Sequence, residues 1–423
     1  MSLASVLELH AMAISACGKY THHRDLFQDV VADSGKHFTG IVGPRGAGKT
    51  ILLQQYALQN ESAFYISADT LEPDDNLWEI IQSLVEHYNV KTILIDEIHF
   101  LSDATGLLKK VYDFLDVRVI FSSSVALAMH SSAYDLSRRV KLLELRNFSF
   151  REYVRFKLDV DLPPISLETL EKHKWGVEHL EAGRLFEQYL FKGGLLPFAI
   201  DEPDALSILS NIVEKVVIRD IPMADKLSLQ EVEHIRNILR FMGRSSVDGI
   251  SYSSLSSNLG ITKYKAKQYV ASLEKAFLLH RVMPEGTNVM REPKILMAPP
   301  LRLLYNRDES ALGGIREDFF VEAMRQARID IGYLKSTRGH KTPDYLIRDA
   351  KGKLVVEIGG KGKGREQFKG IKIDRKLILA HTDIPVNGKI PLFMAGYLSS
   401  EKIGDKKLVS PIILPLNLSA LKK

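Results

Sequence analysis

The first third of the chain alternates short β-branched runs with longer stretches in which apolar residues recur every three or four positions. The runs predict strands over Phe38–Val42, Ala63–Ser67, Thr92–Ile95, Val117–Ser122 and Val140–Leu145. The periodic stretches between them predict helices over Ile51–Gln59, Leu77–His87 and Thr105–Leu115. Such alternation marks an α/β domain built on a parallel sheet. From Ser149 to about Arg240 the period is helical throughout, broken by Pro163-Pro164 and by Gly193-Gly194 with Pro197. Between Arg244 and Met283 the pattern shortens to a Ser-rich helix, a Gly260 turn, a Thr262 cap, a second helix and an apolar, strand-like end, which predicts a helix-turn-helix. Beyond Pro293 and Pro299-Pro300 a mixed α/β segment begins, with strands near Tyr345–Ile347 and Leu354–Ile358 and a Gly/Lys-rich loop at Gly359–Gly364.

Composition narrows the class. With 423 residues, 45% apolar and 26% charged, the chain is a multidomain globular protein, and wholesale disorder is excluded. No run reaches the roughly 18 consecutive apolar residues that a membrane span requires. The first residues lack a positive n-region, and Glu8 and His10 interrupt their apolar part, so no secretory leader is expected. Cys17 is the single cysteine, which excludes an internal disulfide and fits a reducing, cytoplasmic setting. The net charge is only +5. Between Tyr333 and Lys376, however, basic residues outnumber acidic ones, giving either a face for nucleic acid or a solvated lysine-rich surface.

Gly43 to Thr50 reads GPRGAGKT, a complete phosphate-loop pattern set between a predicted strand and a predicted helix. Its glycines let the backbone N–H groups curl toward phosphate oxygens, and the following helix adds its positive end. The expected nucleotide-binding residues are Gly43, Pro44, Arg45, Gly46, Ala47, Gly48, Lys49, Thr50 and Ile51. Lys49 would reach the β- and γ-phosphates of ATP, and the Thr50 hydroxyl would ligate Mg²⁺. A second acidic motif closes the apolar run Thr92–Ile95 with Asp96 and Glu97. Ligands of α/β sheets sit at the carboxyl ends of strands, so Asp96 is expected on Mg²⁺ and Glu97 on the attacking water. The next strand ends in three serines, of which Ser124 is the expected γ-phosphate reporter over Ser122 and Ser123.

At these residues the chain resembles a family of bacterial and archaeal AAA-type ATPases that carry a P-loop core, a helical lid, a winged helix and a restriction-nuclease-like C-terminal domain of unknown function. The resemblance rests on GPRGAGKT, LIDEIHFL, the serine-tipped strand and SRRVKLLELRNFSFREYV from Ser137 to Val154. It continues through FKGGLLP at Phe191–Pro197, VVIRDIP at Val216–Pro222, GGIREDFFVEA at Gly313–Ala323, and TPDYLI with LVVEIGGKGKGREQ between Thr342 and Gln367. It implies a P-loop core over 1–148, a lid over 149–240, a winged helix over 241–300 and a nuclease-like α/β domain over 301–423. It also implies that Arg139, after Arg138 in the family's glycine position, could neutralise phosphate charge in its own subunit or a neighbour's. Gly193, Gly194 and Pro197 would shape the lid.

The expected activity is Mg²⁺-dependent ATP hydrolysis coupled to lid and winged-helix movement, acting on DNA or a protein partner, with a homo-oligomer as one assembly. The alternatives are an ATP-holding switch or scaffold with negligible turnover, and a DNA nuclease using the C-terminal domain. Lys263, Lys265 and Lys267 open the second helix of the helix-turn-helix, but lysines two apart cannot share one helical face, so DNA contact and interdomain packing stay open. The nuclease pattern leaves Glu317, Asp344 and Glu357 as a possible vestigial Mg²⁺ site, with Gln367 nearby. Gly359 stands where that pattern needs lysine, so a fold kept for binding is expected rather than cleavage.

Overall fold

The computed structural model describes residues 2–72, 75–124, 138–245, 249–285, 292–334, 343–360, 368 and 372–399. Five parallel strands, β1 (Phe38–Val42), β2 (Ala63–Ser67), β3 (Thr92–Asp96), β4 (Arg118–Ser123) and β5 (Val140–Glu144), form a sheet in the order β2-β3-β4-β1-β5. Around it lie α1 (Leu3–Cys17), α2 (Asp25–Val31), α3 (Lys49–Gln59), α4 (Leu77–Tyr88) and α5 (Ala104–Phe114). The central strands are apolar at successive positions because both faces are covered. Phe64, Ile66, Ile93, Ile95, Val119 and Phe121 pack with Ile81 and Leu84 of α4 and Leu108 and Val111 of α5. Tyr65, Leu94 and Ile120 pack with Phe27 of α2 and Leu52 and Leu53 of α3. The α1 helix, which periodicity did not single out, guards the exposed edge at β2: the Tyr65 N–H donates to His10 Nδ1 at 3.1 Å.

The rest of the chain does not divide where the sequence suggested. The 240/241 boundary falls inside one helix, Leu229–Arg244. That helix precedes the helix-turn-helix pair Tyr252–Leu259 and Lys263–Lys275 and the antiparallel ribbon β6 (Leu279–Val282) and β7 (Lys294–Met297). A second sheet, β8 (Ile331–Tyr333), β9 (Tyr345–Asp349), β10 (Gly352–Gly359), β11 (Arg375–Ala380) and β12 (Ile390–Pro391), is mixed and ordered β12-β11-β10-β9-β8. One buried cluster runs continuously from Phe148 to Leu398 through the lid, the helix-turn-helix and this sheet. Phe150 is its pivot. Its ring meets Tyr189 at 5.2 Å and Phe186 at 5.5 Å within the lid, and Tyr397 at 5.4 Å and Phe393 at 5.8 Å from the far end of the chain. The expected separate modules share one core, joined at Phe150.

The first lid helix, Phe150–Leu158, starts on a capping box in which the Ser149 hydroxyl accepts from the Glu152 N–H and Glu152 accepts from the Ser149 N–H. The same carboxylate accepts from the Asp25 N–H at 2.9 Å and from Arg24 in a two-pronged pair at 2.8 and 3.1 Å. Arg24 also donates to the carbonyls of Arg146 (2.7 Å) and Asn147 (3.2 Å) and to the carbonyl of Ala47 inside the phosphate loop. One buried arginine thus fixes the loop, the linker after β5 and the lid to each other.

Burial opposes ionisation of Glu152, and the Arg24 charge with the donated N–H groups outweighs it, bringing the carboxyl from 4.5 down to about 2. A depressed carboxylate contributes stability that is present above its unfolded value and is lost as pH falls through its folded one. Glu152→Gln leaves Arg24 without its counter-charge and should cost about 3–5 kcal/mol at neutral pH. Urea unfolding should show that gap to wild type closing as pH falls from 4.5 toward 2. Phe393→Ala should cost about 3–5 kcal/mol of the shared core. The two tryptophans separate the effects: Trp175 packs on the shared core and Trp78 on the first sheet. The Trp175 transition should move to lower urea while that of Trp78 stays close to wild type.

Candidate nucleotide site at the strand ends

The phosphate loop leaves the end of β1 and enters α3, whose N-terminal cap is Gly48. Gly46 and Gly48 hold φ of +79° and +91°, values a side chain resists, so both positions require glycine. A Cβ on Gly43 would meet the Leu145 carbonyl at 2.0 Å, so the loop lies directly on the residue that follows β5. The loop's path is therefore set by its glycines and by the backbone after β5. Lys49 is buried inside it and donates to the carbonyls of Gly43 and Pro44, each at 3.0 Å. Burial pulls its ammonium below the usual lysine range, and the charges of Glu97 and Asp96 oppose that shift.

Asp96 closes β3 beside the loop and is buried. It accepts from the Tyr65 hydroxyl at 2.9 Å and from the Ser122 hydroxyl, and a hydrogen bond from Thr50 also lowers its pKa. Burial nevertheless pushes the carboxyl above the usual range, with the charge of Glu97 adding to that shift. The Thr50 hydroxyl and the Asp96 carboxylate together offer the hard oxygen donors that Mg²⁺ takes, so the residues present fit that ion. Glu97 turns out of the strand with φ +48°. Its carboxylate accepts the Ser124 N–H at 3.0 Å and lies 3.2 Å from His99 Nδ1.

All three serines at the end of β4 contact the acidic strand end or His99. Ser122 bonds Asp96 and accepts the Glu97 N–H at 2.9 Å, Ser123 lies 3.3 Å from His99 Nδ1, and Ser124 contributes its backbone N–H. The Ser124 hydroxyl is buried, with no hydrogen-bond partner among the described residues. Tyr65 and His99 were not among the expected site residues, and Ser122 was passed over for Ser124. Residues 65 and 122 come beside the end of β3 through the strand order β2-β3-β4.

The lid meets the loop at two points and the segment after β3 at a third. A Cβ on Gly46 would meet the Phe198 ring at 2.3 Å, which seats the Pro197–Ala199 turn on the loop. Arg45 grips Asp220 of the VVIRDIP segment, Nε to Oδ2 at 2.7 Å and Nη2 to Oδ1 at 3.0 Å. Arg219 lies over the Phe100 ring at 5.5 Å, three residues beyond Glu97.

Arg139 is not in this site. It precedes β5, its carbonyl accepts the Phe38 N–H at 2.8 Å, and its guanidinium is held by Asp113 at 3.0 Å at the end of the sheet away from the loop. The expectation that it serves a phosphate of its own subunit is corrected by that placement.

Two lysines of the helix-turn-helix are committed within the chain, Lys263 to Glu292 and Lys265 to Glu231 at 2.9 Å, while Lys267 is exposed. Within the described part of the basic C-terminal stretch, Arg375 pairs with Glu171 and Asp349, each at 2.7 Å, Lys353 with Glu285 at 3.1 Å, and Arg348 also with Glu285. The loop from Lys361, with Gln367, lies outside the described residues. Glu317, Asp344 and Glu357 do come together. Burial first, then the charges of Glu317 and Glu357, push Asp344 up to about 7, against the pull of Lys294. Glu317 is occupied by Lys294 and by the Tyr345 hydroxyl at 2.8 Å, and Asp344 accepts the Ile358 N–H at 2.8 Å. Among the described residues, no three His, Cys, Asp or Glu side chains are arranged to hold a metal ion.

Comparison with known proteins matches residues 35–154 to the family described as an AAA domain, and residues 183–299 to a domain of unknown function. The latter spans most of the lid and the helix-turn-helix rather than the C-terminal sheet. An uncharacterised protein of Methanocaldococcus jannaschii is 24% identical over 398 residues, covering 85% of this chain and 84% of its own. Among solved structures, the Aeropyrum pernix ORC1 protein in complex with DNA aligns at 11% identity and a TM-score of 0.27, over 74% of this chain and 94% of that one. The Drosophila ORC bound to AT-rich DNA and Cdc6 aligns at 10% identity and a TM-score of 0.24, over 70% and 93%. At those scores the overall likeness adds nothing to the local geometry. No helix among the described residues is long and apolar enough to cross a membrane. Loop, acidic strand end, strand order and family match agree, and residues 35–154 form a P-loop domain of the AAA type.

Proposed function

We propose that the chain binds ATP with Mg²⁺ at the phosphate loop, hydrolyses it, and transmits the nucleotide state through the lid to the helix-turn-helix and the C-terminal sheet. The observation that carries this is the meeting of Lys49, Thr50, Asp96 and Glu97 at neighbouring strand ends, with the lid resting on the same loop. Thr50 and Asp96 would hold the metal ion, which supplies positive charge to the β- and γ-phosphate oxygens. Loop N–H groups and Lys49 would bind those oxygens; for this, Lys49 leaves the Gly43 and Pro44 carbonyls it occupies without ligand. Glu97 would orient the attacking water and accept its proton.

A second reading, an ATP-holding switch with little turnover, draws on one observation. One oxygen of the Glu97 carboxylate accepts the Ser124 N–H and lies against His99, contacts that compete with a water for that oxygen and hold the side chain in one direction. Action on DNA through a winged helix is the weaker form of the partner proposal, since two of the three lysines are paired within the chain. Steady-state phosphate release separates the two readings of the ATP site. Lys49→Ala should abolish ATP binding, while Glu97→Gln should keep binding and lower the turnover at least ~100-fold. Arg139→Ala should leave the turnover of the isolated subunit within about twofold of wild type, because its guanidinium lies at the other end of the sheet; a large loss that appears only in an ATP-induced oligomer would assign it to a neighbour's site.

A further inference from the structure

The third residue of the phosphate loop is an arginine, and its guanidinium is the loop's main tie to the lid. Arg45 and Asp220 are far apart in sequence and meet through two nearly parallel hydrogen bonds, at 2.7 and 3.0 Å. The pair is largely sealed from water, with side-chain exposures of 15% for Arg45 and 6% for Asp220. A fork-to-carboxylate pair of this kind is strong and directional. Its location is what matters. The positive charge of Arg45 is felt by Lys49 and by His99, and the negative charge of Glu97 is felt by Arg45. The guanidinium therefore lies within electrostatic reach of both the lysine that takes the γ-phosphate and the glutamate that takes the water. Arg139, the arginine the sequence offered for this role, is at the opposite end of the sheet.

A terminal phosphate presents the same bidentate geometry as a carboxylate and carries more charge. Arriving beside Lys49, it would compete with Asp220 for the same fork. We propose that Arg45 is the cation that stabilises the transferring phosphoryl group, and that Asp220 stores it on the lid until ATP takes it over. This rests on the ATPase reading above. In the step itself the bond from the bridging oxygen to the γ-phosphorus breaks and its electron pair leaves on ADP. The water oxygen bonds the phosphorus, its proton passes to Glu97, and the Arg45 N–H groups hold oxygens on which negative charge gathers. Loss of phosphate returns the fork to Asp220. Lid position and γ-phosphate are then two alternative partners of one side chain, which couples them without a further relay.

The two halves of the pair should consequently have opposite phenotypes, which a merely structural latch would not produce. The full-length protein is compared as wild type, Arg45→Ala, Arg45→Lys, Asp220→Asn and the double variant Arg45→Ala/Asp220→Asn. Steady-state phosphate release and titration with a fluorescent ATP analogue are measured, and thermal unfolding checks that each variant is folded. Arg45→Ala should lose roughly 100-fold or more in turnover while its ATP affinity weakens less than about tenfold. Arg45→Lys, which keeps the charge but not the fork, should fall between it and wild type. Asp220→Asn should keep or raise turnover and bind ATP severalfold more tightly, because the fork no longer has to be taken from a carboxylate. The double variant should match Arg45→Ala. Equal losses in Arg45→Ala and Asp220→Asn, or full turnover in Arg45→Ala, would overturn the proposal. If the wild type binds ATP yet releases no phosphate, the ATPase reading fails on its own account. The exchange is then judged on affinity alone, and it fails if Arg45→Ala does not weaken ATP binding and Asp220→Asn does not tighten it.

Discussion

Arg24 is charged, buried and surrounded by groups from distant parts of the chain. An uncompensated guanidinium in that position would cost several kcal/mol (roughly the scale of one broken buried pair), so the surrounding groups are held where they satisfy it. Glu152 supplies the counter-charge, the Arg146 and Asn147 carbonyls take one end of the fork, and the Ala47 carbonyl takes the other. The Phe148 ring lies under the guanidinium at 4.8 Å. The linker residues held this way are also gripped from the C-terminal side. The Gln326 amide donates to the carbonyls of Asn147 (3.0 Å) and Phe148 (3.1 Å), and Arg146 pairs with Glu322 at 3.3 Å. The phosphate loop and the Leu312–Gln326 helix thus share one short segment of backbone. Residues 146–148 are therefore one of the places where the loop is joined to the later part of the chain, beside the direct Arg45–Asp220 contact.

The carboxyl end of the sheet shows a second tension, between burial and charge. Asp96 is disfavoured as an anion by burial and favoured by the hydroxyls of Tyr65, Ser122 and Thr50. Those donors give the carboxylate a fixed direction, as a ligand for a hard cation requires. Glu97, one residue on, leaves the strand in a left-handed conformation and is partnered by a backbone N–H and a histidine. Adjacent carboxylates therefore sit in different surroundings: one rigid and buried, the other held by contacts that can be exchanged.

Elements with a local signature were legible in the sequence. The five strands of the first sheet fall within a residue or two of the stretches marked by β-branched runs, and the loop glycines, Lys49, Asp96 and Glu97 stand at the strand ends where the motifs put them. Features that depend on one long-range contact were not. Arg24 belongs to no repeat or spacing, and its partner Glu152 looks like an ordinary capping-box glutamate. Asp220 reads as one acid in a helical stretch until the fold brings it to Arg45. Arg139 carried a family position but no information about which end of the sheet it would occupy. Periodicity marks where a helix is, and only packing shows that Phe150, Phe186 and Phe393 belong to one core.

That shared core sets an order of assembly during synthesis. Phe393 and Tyr397 leave the ribosome roughly 240 residues after Phe150, which at about 5–20 residues per second is a delay of roughly 12–50 s. The first sheet has all its strands by then and can close around its own two apolar layers. The lid helices, with Phe150, Phe186 and Tyr189 still uncovered, must wait as an exposed apolar surface on the nascent chain. A message broken between the end of the Leu312–Gln326 helix and codon 393 would therefore yield a product with the phosphate loop and first sheet complete but the core around Phe150 unfinished, a natural substrate for chaperones and proteases.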